Sequence, residues 1–205
     1  MRPCDIFLQQ RCVLLGEYGY DADWSSIETT PDSWFVFYHY TREQNLSKVF
    51  DAGGLYARLP VVSAEHIPQL KGHYLVEGLL QPLPGWMESS KYFGDLCLSM
   101  MRQYVGDLLL RITVPPDFPN IYVADMAHNF ESKYWERHGE TPLNLGYDCQ
   151  TGHEVTLAEA NSYIPLHEYK GGHILPNVKI TRCGEGLVIP NRYINVCEEQ
   201  PLRLV

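Results

Sequence analysis

The sequence predicts a mixed α+β domain of short strands and modest helices. Three observations lead there. Apolar runs of strand length recur between residues 35 and 196, the helical stretches among them are few, and the two do not alternate as βαβ units. The chain has 205 residues, 45% hydrophobic and 12% aromatic, enough to bury a substantial core. No internal repeat or low-complexity tract divides it, so residues 1–205 read as one domain, with 1–33 as an N-terminal extension.

The elements follow in order. Phe35 to Thr41 is a strongly apolar strand, and residues 42–57 read as a short helix stopped by Gly53 and Gly54. Between Leu59 and Gly85, Pro60, Pro68, Pro82, Pro84, Gly72 and Gly78 argue for an irregular surface loop. Residues 91–99 suggest a short strand or strand-to-helix entry, and 99–105 about two helical turns. Asp107 to Val114 is the clearest buried strand, ended by Pro115 and Pro116; residues 121–124 give another. Phe130 to His138 carries aromatics on one helix face and stops at Gly139. Strands are expected again at 154–157, 162–166, 177–181, 187–190 and 193–196, with prolines marking edges or ends.

Bulk properties exclude several functions. The net charge is −9 with no basic stripe, which argues against holding nucleic acid through its phosphates but leaves base-specific or protein-directed activity open. No apolar run approaches the roughly 20 residues needed to span a bilayer. Asp5, Gln9, Gln10, Arg11 and Glu17 break any signal-peptide core, so the expected location is cytoplasmic, or the cytoplasm of a target cell after delivery. Six cysteines without a C-x-x-C pair read as free thiols, with a bridge from Cys4 or Cys12 to Cys183 or Cys197 left open. His66, His73, His128, His138, His153, His167 and His173 form neither H-E-x-x-H nor an i, i+4 helical pair, so no metal is expected; His167 and His173 flank the turn at 170–172 and read as surface residues, and Asp125-Met126-Ala127-His128 is a candidate site wall. A G-x-S-x-G elbow, a P-loop and a G-x-G-x-x-G turn after a strand are all absent.

The residue that stands out chemically is His39, a titratable ring near the end of an apolar strand. Phe37-Tyr38-His39-Tyr40-Thr41, followed by Asn45-Leu46 and Gly54-Leu55, resembles the first motif of ADP-ribosyltransferases of the His-Tyr-Glu class, the diphtheria-toxin and poly(ADP-ribose) polymerase branch. Tyr92-Phe93 with Ser99 and Tyr104 resembles the second motif, about one residue out of step. Glu154 in Gly152-His153-Glu154-Val155-Thr156-Leu157 is the best match to the third, with Glu159 as substitute. The likeness covers three patches. It departs at Tyr40, where the polymerases carry glycine.

The resemblance implies a mostly antiparallel split sheet and a glycosyltransferase that uses NAD as co-substrate, with a macromolecular acceptor, protein or nucleobase. It also implies a toxin- or effector-like role with a neutralising protein partner. It further implies that His39, Tyr40, Thr41, Tyr92, Ser99 and Tyr104 bind NAD, and that His39, Tyr92 and Glu154 form the catalytic set. Cleaving the nicotinamide–ribose bond builds oxocarbenium character on the sugar, which a fixed carboxylate stabilises. Two alternatives stand beside this reading: a non-catalytic nucleotide- or protein-binding domain on the same scaffold, and a metal-dependent hydrolase.

Overall fold

The computed structural model describes residues 26–84, 101–141, 143–146 and 152–201. Their strands are β1 (Glu28–Thr29), β2 (Phe35–Thr41), β3 (Gly54–Ala57), β4 (Leu59–Pro60), β5 (His73–Leu79), β6 (Leu108–Val114), β7 (Ile121–Asp125), β8 (Ile164–Pro165), β9 (Pro176–Cys183), β10 (Gly186–Pro190) and β11 (Ile194–Val196). The α-helices are α1 (Leu46–Asp51), α2 (Ala127–His138) and α3 (His153–Asn161). Nine strands form one sheet, in the order β11-β6-β2-β5-β9-β7-β8, with β1 added to β2 and β4 to β5; β3 and β10 make a separate ribbon. Every strand pair is antiparallel. The expected α+β class with a mostly antiparallel sheet and small helices is what the chain adopts. Among the described residues no helix is long and apolar enough to cross a membrane.

Strands β2 and β6 are apolar at most positions, beyond the one-in-two of a half-exposed strand, so the sheet is covered on both faces there. Alternate residues of β2 and β6 feed two clusters. Phe37, Leu108, Leu110, Ile112 and Val114 enter one, with Leu55 and Ala57 of β3 and Ile189 of β10. Val36, Tyr38, Tyr40 and Leu109 enter the other, with Ala127 of α2 and the approach to β9, Ile174 and Leu175. The β3–β10 ribbon therefore caps one face and the start of α2 the other. Strand β1 is fixed by polar groups: the Tyr38 hydroxyl donates to Glu28 Oε2 at 2.5 Å and Arg111 Nη2 to Glu28 Oε1 at 3.0 Å. Burial, then the neighbouring Glu28 carboxylate, pushes the Tyr38 phenol up to about 12.

Four expectations are corrected. The segment 42–57 is a 3-10 turn and α1 only as far as Asp51; Gly53 and Gly54, both at positive φ, turn the chain into β3. The expected loop at 59–85 contains β5, seven residues in the middle of the sheet, because its prolines all lie outside His73–Leu79 and Gly78 alone falls within. Residues 154–157 are not a strand: the β-branched Val155 and Thr156 sit in α3, among Glu154, Leu157, Ala158, Glu159 and Ala160, which favour helix. Of 162–166, only Ile164–Pro165 is extended. The expected end of the aromatic helix holds, with Gly139 at φ 70° donating to the Trp135 carbonyl at 2.8 Å.

Strands β2 and β5 meet at a single register pair, Tyr38 with Leu79. A Cβ on Gly78 would lie 2.8 Å from the Tyr38 carbonyl oxygen and 3.4 Å from a Phe37 ring carbon. Gly78→Ala is therefore expected to lower stability by about 1–3 kcal/mol through overpacking, read as a fall in the urea midpoint. A midpoint within error of the parent would show that the two strands can part at no cost.

Candidate active site

Past Tyr38, strands β2 and β5 no longer pair, and a cleft of about 390 Å³ opens there, lined by His39, Tyr40, Thr41, Glu77, Tyr104 and Asn177 among others. His39 is turned toward β5, its Nδ1 lying 2.7 Å from the Glu77 carbonyl oxygen. A carbonyl only accepts, so Nδ1 carries the proton and Nε2 is left as an acceptor. Burial holds the imidazole below the ordinary histidine range and keeps it neutral.

Tyr40 divides its roles between side chain and main chain. Its ring is 2% exposed in the second core cluster, and its hydroxyl donates to the Pro82 carbonyl at 2.6 Å. Its register partner Leu109 turns its own backbone the other way: the N–H goes to Gln200 Oε1 at 2.6 Å and the C=O takes the Cys197 N–H at 3.0 Å. By the alternation of antiparallel pairs, the Tyr40 N–H and C=O then face β5 across the opening. Tyr40 thus meets the cleft with its main chain and keeps its ring in the interior.

Tyr104 lies on a single π-helical turn, Met101–Val105, at the cleft lip, and is 64% exposed. Two contacts dock that turn on the end of β2. Arg42 Nη2 donates to the Gln103 carbonyl at 2.8 Å, and Gly106, at φ 123°, approaches the Thr41 carbonyl so closely that a Cβ would stand 2.2 Å from its oxygen. Thr41 itself is 7% exposed. Tyr92 and Ser99 lie outside the described residues.

Neither expected carboxylate lines the cleft. Glu154 is exposed in the first turn of α3. Glu159, further along the same helix, is 4% exposed, and its Oε1 stands 3.6 Å from Lys179 Nζ. Lys179 also donates to Glu77, its register partner across β5 and β9. Burial works to lower the Lys179 pKa, but Glu77 and Glu159 together carry it above the ordinary lysine value. Lys179 in turn holds the Glu77 carboxyl below the usual range. Glu77, with its side chain 47% exposed, is the one carboxylate that lines the cleft among the described residues. On the same β9 stretch, Asn177 lines the cleft at 4% exposed, and its Oδ1, itself buried, has no hydrogen-bond partner.

Sequence reasoning missed Glu77, Lys179 and Asn177. A signal was present: single polar residues inside Leu75-Val76-Glu77-Gly78-Leu79 and Asn177-Val178-Lys179-Ile180 are expensive to bury unless paired. His173, expected at the surface, is 8% exposed with Nε2 2.7 Å from the Ser162 carbonyl, and His128 of the candidate site wall is 1% exposed and does not line the cleft.

Two outcomes are expected. Lys179→Met strands the buried Glu159 charge and should cost about 3–5 kcal/mol, while Lys179→Met with Glu159→Leu should recover most of it; equal losses in both would place the cost in packing. His39 has a depressed pKa when folded, so its contribution is full above the unfolded value of about 6.5 and is lost as pH falls below it. The Tm gap between parent and His39→Gln should be constant above about pH 6.5 and move against the parent below it. A gap flat to pH 5 would mean the ring is not shielded from water. Compared with family models, curated proteins and solved structures, the chain matches none.

Proposed function

We propose that the opening between β2 and β5 binds NAD and that the protein transfers its ADP-ribosyl group to a macromolecular acceptor. The observation that carries this is the gathering of an imidazole acceptor (His39), an outward-facing peptide unit (Tyr40) and an ionised carboxylate (Glu77) around one opening. Its volume of about 390 Å³ falls within the range of small-molecule sites, about 300–1,000 Å³.

The Tyr40 N–H and C=O match the two ends of a nicotinamide carboxamide, whose oxygen accepts and whose amine donates. His39 Nε2 accepts from a ribose hydroxyl, and the exposed Tyr104 ring stacks on the bound base, at about 0.5–1.5 kcal/mol beyond area burial. The C1′–N bond breaks with its electron pair moving to the pyridinium nitrogen, so nicotinamide leaves neutral. An acceptor oxygen or nitrogen then bonds to C1′ and gives its proton to solvent. Glu77, kept ionised by Lys179, opposes the positive charge that builds on the ribose, the role first expected of Glu154 or Glu159.

Incubation with labelled NAD and candidate protein or nucleic-acid acceptors, read by mass spectrometry, tests the reading. Glu77→Gln should slow nicotinamide release by about a hundredfold or more, with NAD binding little changed. Parent-level turnover in that variant would remove Glu77 from the chemistry. One observation favours a second reading: neither Glu154 nor Glu159 lines the cleft, and Glu77 is already engaged by Lys179. On that reading the cleft binds a nucleotide without cleaving it. NAD retained intact by the parent protein, with no nicotinamide released, selects it.

A further inference from the structure

Away from the cleft, where the turn between β4 and β5 meets the first turn of α3, Glu65, His66 and His153 bring one ligand atom each to within 4.8 Å of one another. Glu65 Oε1 lies 3.1 Å from His66 Nε2. The Thr156 hydroxyl, one turn along α3 from His153, stands 3.2 Å from that same nitrogen and 3.3 Å from that same oxygen. The imidazoles of His66 and His153 meet edge to face with centroids 5.0 Å apart.

These spacings carry chemical information. Zinc bonds of about 2.0–2.1 Å to nitrogen and oxygen, in a tetrahedron, put neighbouring donor atoms about 3.3–3.4 Å apart. Glu65 Oε1, His66 Nε2 and Thr156 Oγ1 already form a triangle of nearly that size. Thr156 has one hydroxyl proton, and the carbonyl of His153, 3.0 Å away, is the nearest acceptor for it. With the proton given there, the hydroxyl lone pairs face the imidazole nitrogen and the carboxylate.

We propose that Glu65, His66 and His153 form a zinc site, with the Thr156 hydroxyl at the fourth corner. Two imidazoles and a carboxylate suit zinc and its first-row neighbours and disfavour magnesium or calcium, which take all-oxygen shells. The site joins segments almost ninety residues apart in sequence and fastens the start of α3, the helix that brings Glu159 to Lys179. It stands independently of any reaction in the cleft.

The test uses the full chain stripped with a chelator and titrated with zinc chloride against a chromophoric competitor. One zinc per chain is expected, with Tm rising by about 5–10 °C at a hundredfold excess over Kd. Simultaneous His66→Ala and His153→Ala should weaken binding by at least a hundredfold and abolish the Tm rise. Glu65→Gln, at a side chain 62% exposed and so safe for folding, should weaken it at least tenfold. Failure of the parent to bind zinc at one equivalent overturns the proposal. So does undiminished binding in the double variant, which would put the metal on other side chains.

Discussion

The molecule is organised by how little β2 and β5 touch. On its other side β2 is paired along its whole length with β6, from Phe35 with Val114 to Thr41 with Leu108. Toward β5 it has one register pair, made possible by a glycine that lets the Tyr38 carbonyl come close. The short β1 takes the far end of the same edge, pairing Glu28 with Val36 and Thr29 with Phe35. What is left is the stretch from His39 to Thr41, where the His39 ring bonds the Glu77 carbonyl in place of a backbone ladder. A gap of this kind in a sheet otherwise covered on both faces is a polar groove with apolar walls, the combination a small-molecule site requires.

Electrostatics couples the groove to the helical layer. Lys179 is 3% exposed and sits between a carboxylate that lines the groove and one that is buried on α3. A cation that deep is tolerated because two anions offset its desolvation, and neither anion can be repositioned without the other two groups responding. The charge on Glu77 is thereby tied to the seating of α3 against β9. Movement of that helix would be felt in the groove through Lys179 and Glu77.

The sequence made the central strands legible where composition alone decides them. Strands β2 and β6 are mostly Val, Ile, Leu and aromatics, the composition of a buried sheet, and His39 stands out as a polar exception in the first of them. Strand β5 is obscured because the prolines and glycines on its flanks outweigh its short interior. Helix α3 is obscured because two adjacent β-branched residues, Val155 and Thr156, stand out among the helix formers around them; packing against α2 and the turn at 62–65 adds to that local preference. The grouping of Glu77, Lys179 and Glu159 depends on cross-strand register and on where a helix docks, neither of which a linear motif encodes. Glu65 and His153 belong to the same category, since nothing in their spacing along the chain brings them together.

The two halves of Tyr40 answer to different masters. Its ring is held by the interior and by the Pro82 carbonyl, while its peptide group looks out on the groove. Whatever docks there meets atoms common to all amino acids, so the identity of residue 40 records the shape of the interior and carries no information about the guest. A search for specificity in this groove should pass over the most conspicuous aromatic on its wall and begin with the half-exposed carboxylate of Glu77.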